Sequence, residues 1–159
     1  MFRKYPKKKK ASKDGKRRTL EEMTPSELVE ILDTEFSFNL RAGQAAKQGH
    51  PYIVCYTCGK GDLWNSSKMH CGHFIGRKFY GTRWSRDNTR IQCWNCNCNN
   101  EGNKPVYALR LLAEGVDLEV LQNKADFQGQ KKYPNDEMIR WIKEYRAENA
   151  KIRKAILGF

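Results

Sequence analysis

Two pairs of cysteines have the spacing of metal ligands. Cys55 and Cys58 form one CxxC motif, and Cys93 and Cys96 form a second. Because each CxxC turn points two thiolates toward one centre, two such turns can complete a tetrahedral four-sulfur zinc site of the closed, structural type. We therefore predict that these four cysteines bind a structural Zn²⁺ ion.

The remaining cysteines leave alternatives open. Cys71 and Cys98 lie outside the CxxC motifs, and a rival zinc site of Cys55, Cys58, Cys71 and His73 also has an acceptable spacing. A redox-active CxxC motif, or four ordinary buried cysteines, is the other alternative. The segment between the pairs has few apolar residues, so it needs a metal to hold it together, and this favours the four-sulfur site.

Two histidines between the cysteine pairs have side chains suited to phosphate chemistry. His70 and His73 lie within four residues in a basic segment, and a closed four-thiolate site leaves them available. A neutral imidazole can take a proton from water, and a divalent ion can stabilise the charge that develops on a phosphate. This predicts phosphodiester hydrolysis, with a hydrogen-bonded structural pair as the alternative. We interpret His50, in a polar loop, as a residue without a role.

The charge distribution indicates a nucleic-acid partner. The chain has 30 Lys and Arg against 18 Asp and Glu, a net charge of +12. Residues 1–18 hold ten basic and one acidic residue, net +9, and residues 60–104 hold eight and three, net +5. Such patches bind DNA by releasing counterions, although the tail alone could instead be a solubilising terminus. The residues expected to contact DNA are Lys7, Lys8, Lys9, Lys10, Arg77, Lys78, Arg83 and Arg86.

No segment is apolar enough for a membrane. The longest apolar run, residues 52–56, is far shorter than the roughly 20 residues that cross a bilayer. The basic start of the chain is not followed by the apolar stretch of a secretory signal. We therefore expect no membrane partner and a cytoplasmic location, where paired thiols hold metal more often than they form disulfides.

The composition divides the chain into four segments within a small α+β fold. We expect a disordered basic tail over residues 1–18 and an N-terminal helical segment over 19–51. A zinc-braced module follows over 52–104, and a C-terminal helical segment covers 105–159. The module is thus flanked by α-helices.

Helix signals are clear on both sides of the module. The sequence Thr24-Pro25-Ser26-Glu27 is typical of a capping box, and it predicts a helix over about 25–42 that ends near Gly43. A short strand is predicted over 52–56. The other predictions are a helix opened by Pro105 and stopped by Gly115, a short helix capped by Asp117, and an amphipathic helix over about 136–157 whose apolar stripe packs in the core.

Several motifs occur in a fixed order across the middle of the chain. They are CxxCG at 55–59, CGHF at 71–74 with Arg77, TRW at 82–84 with Asn88, QCxxCN at 92–97, and Gly102-Asn103. This arrangement resembles the NinG (Rap) family of phage recombination endonucleases. The zinc segment is also similar to phage endonuclease VII, another member of the HNH (ββα-metal) nuclease class.

The resemblance implies a site made of a strand, an irregular loop, a second strand and a helix. By position, His73 matches the general base, and Asn97 matches the helix-borne ligand of a catalytic Mg²⁺ or Mn²⁺ ion. Asn88 matches the asparagine that braces the loop through backbone hydrogen bonds. The position directly before the base often carries a second metal ligand, but here it is Gly72, so His70 is the nearest competent ligand.

The relative placement of the histidines depends on the strand geometry. Residues three apart on a regular strand point to opposite faces, so His70 and His73 converge only if the chain bulges or turns, which Gly72 would permit. We expect Arg77 or Arg83 to hold a non-bridging phosphate oxygen, with general contact to the DNA backbone as the alternative.

These inferences together predict a divalent-metal-dependent, zinc-stabilised DNA endonuclease, and the resemblance implies that it acts on branched recombination intermediates of a phage. One alternative is a zinc-stabilised module that binds nucleic acid without cutting it. The other is an HNH nuclease for homing or packaging-linked nicking. A symmetric cut of a junction would require a homodimer, for which the last helix is a candidate interface, and other phage recombination proteins are candidate partners.

Overall fold

The computed structural model describes residues 18–156, so the predicted contacts at Lys7, Lys8, Lys9 and Lys10 lie outside the described residues. The fold is a small α+β arrangement with two antiparallel two-stranded sheets. The helices are α1 (Pro25–Gln48), α2 (Tyr80–Arg83), α3 (Lys104–Ala113), α4 (Leu118–Gln128) and α5 (Asn135–Ala155). The strands are β1 (Tyr52–Val54), β2 (Gly61–Leu63), β3 (Met69–His73) and β4 (Thr89–Cys93), and a π-helical turn covers Asn95–Asn99.

Helix α1 begins as predicted and ends later than predicted. The Thr24 hydroxyl accepts a hydrogen bond from the Glu27 N–H at 3.3 Å, and the Glu27 carboxylate accepts one from the Thr24 N–H at 2.8 Å, which confirms the capping box. The predicted end near Gly43 is wrong, because the helix continues to a left-handed cap at Gly49. Gly43 lies instead where α5 packs, since a Cβ there would be 3.4 Å from Ile152.

Helices α1 and α5 pack against each other through an apolar core that contains a buried polar contact. Leu28 and Leu32 of α1 share a buried cluster with Met138 and Ile142 of α5, as the predicted apolar stripe requires. Among these side chains, the Asn39 amide donates to the Asn149 amide oxygen at 3.0 Å. Because an unpaired buried amide is costly, this contact fixes how the two helices align.

The two hairpins form the centre of the chain. In the first, Tyr52 pairs with Leu63, and the predicted strand over 52–56 ends at Val54 because Cys55 begins the connecting turn. In the second, every residue of β3 pairs with one of β4, from Met69 with Cys93 to His73 with Thr89. This hairpin packs on α1, and its apolar side chains share one core cluster with Phe36 and Leu40.

The C-terminal helices follow the predicted signals. Helix α3 is followed by Gly115 at a φ of 79°, and the Asp117 carboxylate accepts from the N–H groups of Glu119 and Val120 at the start of α4. Helix α4 packs so closely on α2 that a Cβ at Gly81 would collide with the backbone oxygen of Lys124. None of the helices within residues 18–156 combines the length and the apolar character that a membrane crossing needs.

Candidate metal centre and histidine sites

The four cysteines of the CxxC motifs come together. Their sulfur atoms all lie within 4.8 Å of one another, and the Sγ atoms of Cys58 and Cys93 are 3.7 Å apart. A tetrahedral ion with Zn–S distances of about 2.3 Å would separate its sulfur ligands by about 3.8 Å. The four cysteines can therefore bind a structural metal such as zinc, as the spacing predicted.

Backbone hydrogen bonds position the two cysteine pairs. The turn between β1 and β2 is closed by the Cys55 N–H, which donates to the Lys60 carbonyl at 2.8 Å. Gly59 completes the turn at a φ of 74°, a left-handed conformation that suits glycine. The turn is joined to β4 by the Tyr56 N–H, which donates to the Ile91 carbonyl at 2.7 Å. Since β4 ends at Cys93, this contact brings the two pairs together.

The surroundings shift the pKa values of two of the thiols in opposite directions. Burial alone would raise the pKa of Cys55, but hydrogen bonds from the Thr57 hydroxyl and from backbone N–H groups lower it to about 6. Burial raises the pKa of Cys96 to about 12. The surroundings thus favour the charged form of Cys55 and oppose that of Cys96, and a bound cation would compensate the charge of either thiolate.

The rival zinc site is not formed. Cys71 is buried with Met69 and Ile91 in the core, and burial raises its pKa to about 12. In residues 18–156, the group of three or more His, Cys, Asp or Glu side chains that lie close enough to share an ion is the four-cysteine group, without Cys71 or His73. The core position of Cys71 follows from strand alternation, because it shares a face of β3 with Met69.

His73 is held by a backbone carbonyl at the end of β3. Its half-buried ring places Nε2 2.9 Å from the carbonyl oxygen of Arg83. Burial and the positive charge of Arg77 lower the pKa of His73 to about 4, so the ring is neutral at neutral pH. Because a carbonyl can only accept, this contact favours the tautomer that carries the proton on Nε2.

An acidic residue that the sequence analysis did not single out holds Arg83. Asp33 of α1 accepts from Arg83 Nη2 at 2.6 Å and from Nε at 3.0 Å, and it also accepts from the Trp84 indole N–H at 2.9 Å. Arg83 Nη1 donates to the Arg77 carbonyl at 2.8 Å. The ion pair therefore holds α2 against α1, and Arg83 would have to break it to contact a phosphate. No pattern in the sequence marks Asp33, since the contact spans two distant segments.

The other predicted DNA contacts differ in availability. The Arg77 guanidinium makes no hydrogen bond or ion pair with another residue of the described chain, and Lys78 is exposed with its Nζ 5.0 Å from the Phe79 ring centre. Arg86 donates to the buried Asn39 and lies 5.4 Å from the Phe36 ring. The partly exposed Arg77 and the exposed Lys78 are thus open to a ligand, whereas the exposed Arg86 is already hydrogen-bonded to Asn39.

Asn88 braces the loop after β3. Its side chain is fully buried, and Oδ1 accepts from the Ile75 N–H at 2.6 Å. The Nδ2 atom donates to the carbonyls of Ile75 at 2.9 Å and Thr82 at 3.0 Å. These bonds hold both ends of the segment that leads from His73 to the carbonyl of Arg83.

Two residues of α3 that were not predicted complete the surroundings of His73. Lys104 donates through Nζ to the His73 carbonyl at 2.8 Å and to the Phe74 carbonyl. The buried Tyr107 hydroxyl donates to the Gly72 carbonyl at 3.2 Å. Lys104 directly follows the Gly102-Asn103 motif and Tyr107 lies one helical turn further on, so this motif is the sequence signal that could have drawn attention to them.

His70 and Asn97 meet on the other face of the hairpin. The Asn97 amide Nδ2 lies 3.1 Å from His70 Nδ1, and Cys98 Sγ lies 3.8 Å from the same nitrogen. The unbroken register of β3 places the side chains of His70 and His73 on opposite faces, so the bulge that would make them converge is absent from this hairpin. The predicted helix that carries Asn97 is a single π-helical turn.

Gly72 is required by its neighbour Gln92. A Cβ at Gly72 would be 2.8 Å from Gln92 Cγ, closer than packed carbon atoms approach each other. Gln92 is fully buried and donates to Thr57 Oγ1 at 3.2 Å and to the Gly102 carbonyl at 2.7 Å. Position 72 therefore has no room for a metal ligand, since Gln92 fills that space and ties the cysteine turn to the loop before α3.

Comparison with known proteins identifies the family. The family model described as Bacteriophage Lambda NinG protein matches residues 3–155. No curated protein and no solved structure matches the chain. Because the matched region covers nearly the entire sequence, including the cysteine pairs and both histidine sites, the chain belongs to the bacteriophage lambda NinG family.

Proposed function

We propose that this protein is a divalent-metal-dependent DNA endonuclease of the HNH type. Membership in the NinG family implies a function related to phage recombination, and this makes branched recombination intermediates the proposed substrates. The observation that carries the proposal is the contact between His73 Nε2 and the Arg83 carbonyl, because it orients a neutral imidazole as a general base.

The chemistry proposed for His73 is removal of a proton from water. With Nε2 bound to the Arg83 carbonyl, Nδ1 is the atom that accepts the proton as water attacks the phosphorus. A pKa of about 4 keeps the ring unprotonated at neutral pH, but it also makes the imidazole a weak base. The phosphate charge of bound DNA would raise this pKa and strengthen the base.

His70 and Asn97 are the proposed ligands of the divalent ion. In many of the HNH sites that the chain resembles, a ligand directly precedes the base, so there too the ligand and the base leave the strand on opposite faces. His70 lies on the same face as Gly72, and Asn97 is 3.1 Å from it. A divalent ion held there would supply charge stabilisation for the phosphate and the leaving oxygen.

Arg77 is the proposed phosphate contact nearest the base. Its charge acts on His73, and its guanidinium has no partner among the other described residues. Arg83 is proposed as a positioning residue instead, because its ion pair with Asp33 holds the carbonyl that orients His73.

The second candidate function is nucleic-acid binding without cleavage. The side chains of Arg77 and Lys78 favour this function because neither is paired with an acidic residue of the described chain. Such cations bind phosphates whether or not a phosphodiester bond is cut. A homodimer that cuts junctions symmetrically is proposed with an interface outside the buried stripe of α5, because Met138 and Ile142 are already covered by α1.

Cleavage assays across several DNA structures test the proposal. The protein is incubated with a four-way junction, a D-loop, a nicked duplex and a linear duplex, with Mg²⁺ or Mn²⁺, while zinc is quantified in the same sample. We expect metal-dependent cutting of branched DNA that is lost in His73→Ala and kept in His50→Ala, an exposed control. Binding without cutting would support the second function, and sequence-selective cutting of linear duplex would support homing or packaging-linked nicking.

A further inference from the structure

We propose that Cys98 is a third ligand in the ion site of His70 and Asn97, and that this site therefore selects a thiophilic transition metal such as Zn²⁺ or Co²⁺ over Mg²⁺. The proposal concerns an exposed cysteine outside the four-sulfur cluster. Metal binding at this place stands on geometry alone, whereas a role of the bound ion in DNA cleavage rests on the proposed function.

The three side chains have the spacing of a coordination shell. Asn97 Nδ2 is 3.1 Å from His70 Nδ1 and 3.8 Å from Cys98 Sγ, and Sγ is 3.8 Å from Nδ1. A point equally distant from three atoms with these separations lies about 2.1 Å from each, close to the bond lengths of about 2.0 to 2.3 Å that transition metals make with N, O and S ligands. A half-turn of the Asn97 amide exchanges its nitrogen for the ligating oxygen at the same place.

A backbone contact selects the tautomer of His70 that a metal needs. His70 Nε2 is 3.1 Å from the carbonyl oxygen of Ser67. Because a carbonyl accepts, this contact keeps the proton on Nε2 and aims the lone pair of Nδ1 toward Asn97 and Cys98. Metal-binding histidines commonly donate their other N–H to a carbonyl in this way, so the ring is already oriented as a ligand.

The site is distinct from the structural cluster and is open to solvent. Cys96 is buried among the four sulfurs, whereas Cys98, in the same π-helical turn, is exposed. Three protein ligands leave at least one coordination position for water or substrate, which is the arrangement of catalytic rather than structural zinc. A thiolate and an imidazole are poor ligands for Mg²⁺ and good ligands for Zn²⁺ and Co²⁺.

Cobalt titration tests the site. Full-length protein first loaded with one equivalent of Zn²⁺, which the four-sulfur cluster takes up, is titrated with Co²⁺, and binding is followed by calorimetry and by the sulfur-to-cobalt charge-transfer absorption. We expect one Co²⁺ to bind with this absorption, and Mg²⁺ at the same concentration not to displace it. In Cys98→Ser, the absorption should vanish and the affinity should fall at least about tenfold, while the zinc content stays unchanged. His70→Ala should also lose the binding.

A matched control uses the neighbouring Asn99, whose exposed side chain is hydrogen-bonded to Asn95 and not to the proposed ligands. Asn99→Ala should therefore bind Co²⁺ as the unaltered protein does. Cobalt absorption that persists in Cys98→Ser, or an unaltered protein that binds no Co²⁺ beyond the filled cluster, would overturn the proposal. If Cys98-dependent binding occurs but no DNA is cut with any metal, the proposed function fails and the site stands. If Mg²⁺ supports cleavage and no Cys98-dependent binding occurs, the site fails and the proposed function stands.

Discussion

Asp33 of α1 and Arg83 of α2 form a bidentate ion pair, with Nη2 to Oδ2 at 2.6 Å and Nε to Oδ1 at 3.0 Å. The carbonyl of the same Arg83 receives the hydrogen bond from His73 Nε2. The proposed base is therefore oriented by an arginine whose own position depends on a carboxylate 50 residues away in the chain.

Replacing Asp33 with Asn should weaken cleavage without affecting metal content. The change leaves Arg83 without a counter-charge, which costs about 1–3 kcal/mol of stability for a partly buried pair. Asp33 also raises the pKa of His73 by its charge, so the pKa should fall further in the variant. We expect a lower kcat with little change in KM, and an NMR titration of His73 shifted to lower pH. Asp87→Asn, at an exposed position, is the control, and an unshifted titration would show that Asp33 is not a positioning residue.

The protein should lose stability as the pH falls from 6.5 to 4. The folded-state pKa of His73 is lowered to about 4, so the unfolded chain binds the proton first and acid favours unfolding in this window. Above pH 6.5 the ring is neutral in the folded and the unfolded chain, and the protein keeps its full stability. At lower pH, protonation of the unfolded chain lowers the free energy of unfolding by at most about 3 kcal/mol. Denaturant melts at several pH values, compared with those of His73→Asn, isolate it from the acid sensitivity of the cysteine cluster. Equal pH dependence in both proteins would contradict the prediction.

Cys93→Ser should unfold the module that the two hairpins form. The structural metal holds a segment with few apolar residues, so its binding free energy is largely the folding free energy of the segment. We expect loss of bound zinc and loss of regular structure by circular dichroism. Cys98→Ser should retain both, because Cys98 lies outside the four-sulfur group. A Cys93→Ser protein that keeps its zinc and its structure would rule out the four-cysteine site.

Gly72→Ala should destabilise the hairpin through its collision with Gln92. The added Cβ would be 2.8 Å from Gln92 Cγ, and an overpacked position of this kind costs about 1–3 kcal/mol. Gly76→Ala is the control, since a Cβ there meets nothing within 4 Å. Urea denaturation of the Gly72 and Gln92 single variants and of the double variant should show a favourable coupling, and strictly additive effects would mean that the two side chains do not meet.

Asn88→Ala should be among the most destabilising changes at the site. It removes the hydrogen bonds to the Ile75 N–H, the Ile75 carbonyl and the Thr82 carbonyl, and it leaves these groups buried, at a cost of about 2–4 kcal/mol. Asn88→Asp keeps the shape but cannot donate, so it should also be unstable. Thermal melts of the Asn88 variants test this prediction. A melting temperature close to that of the unaltered protein would show that the hydrogen bonds of Asn88 are dispensable for stability.

Local signals in the sequence were enough to predict the four longer helices, α1, α3, α4 and α5, and the four-cysteine cluster, but not the short helix α2. The capping box at Thr24 and the side-chain cap at Asp117 act within a few residues, so their effect does not depend on the rest of the fold. The CxxC spacing likewise determines the direction of two thiols inside each turn. The end of α1 was missed because Gly43 is a packing position against Ile152, which only the neighbouring helix reveals.

Only the tertiary structure decided how the histidines are used. The sequence placed His70 and His73 close together in the chain, but the regular pairing of β3 with β4 puts them on opposite faces, one beside Asn97 and the other beside Arg83. Asp33, Lys104 and Tyr107 reach the site from distant segments. A contact between segments depends on how helices and strands pack, and spacing along the chain carries information only about turns, caps and the periodicity of single elements.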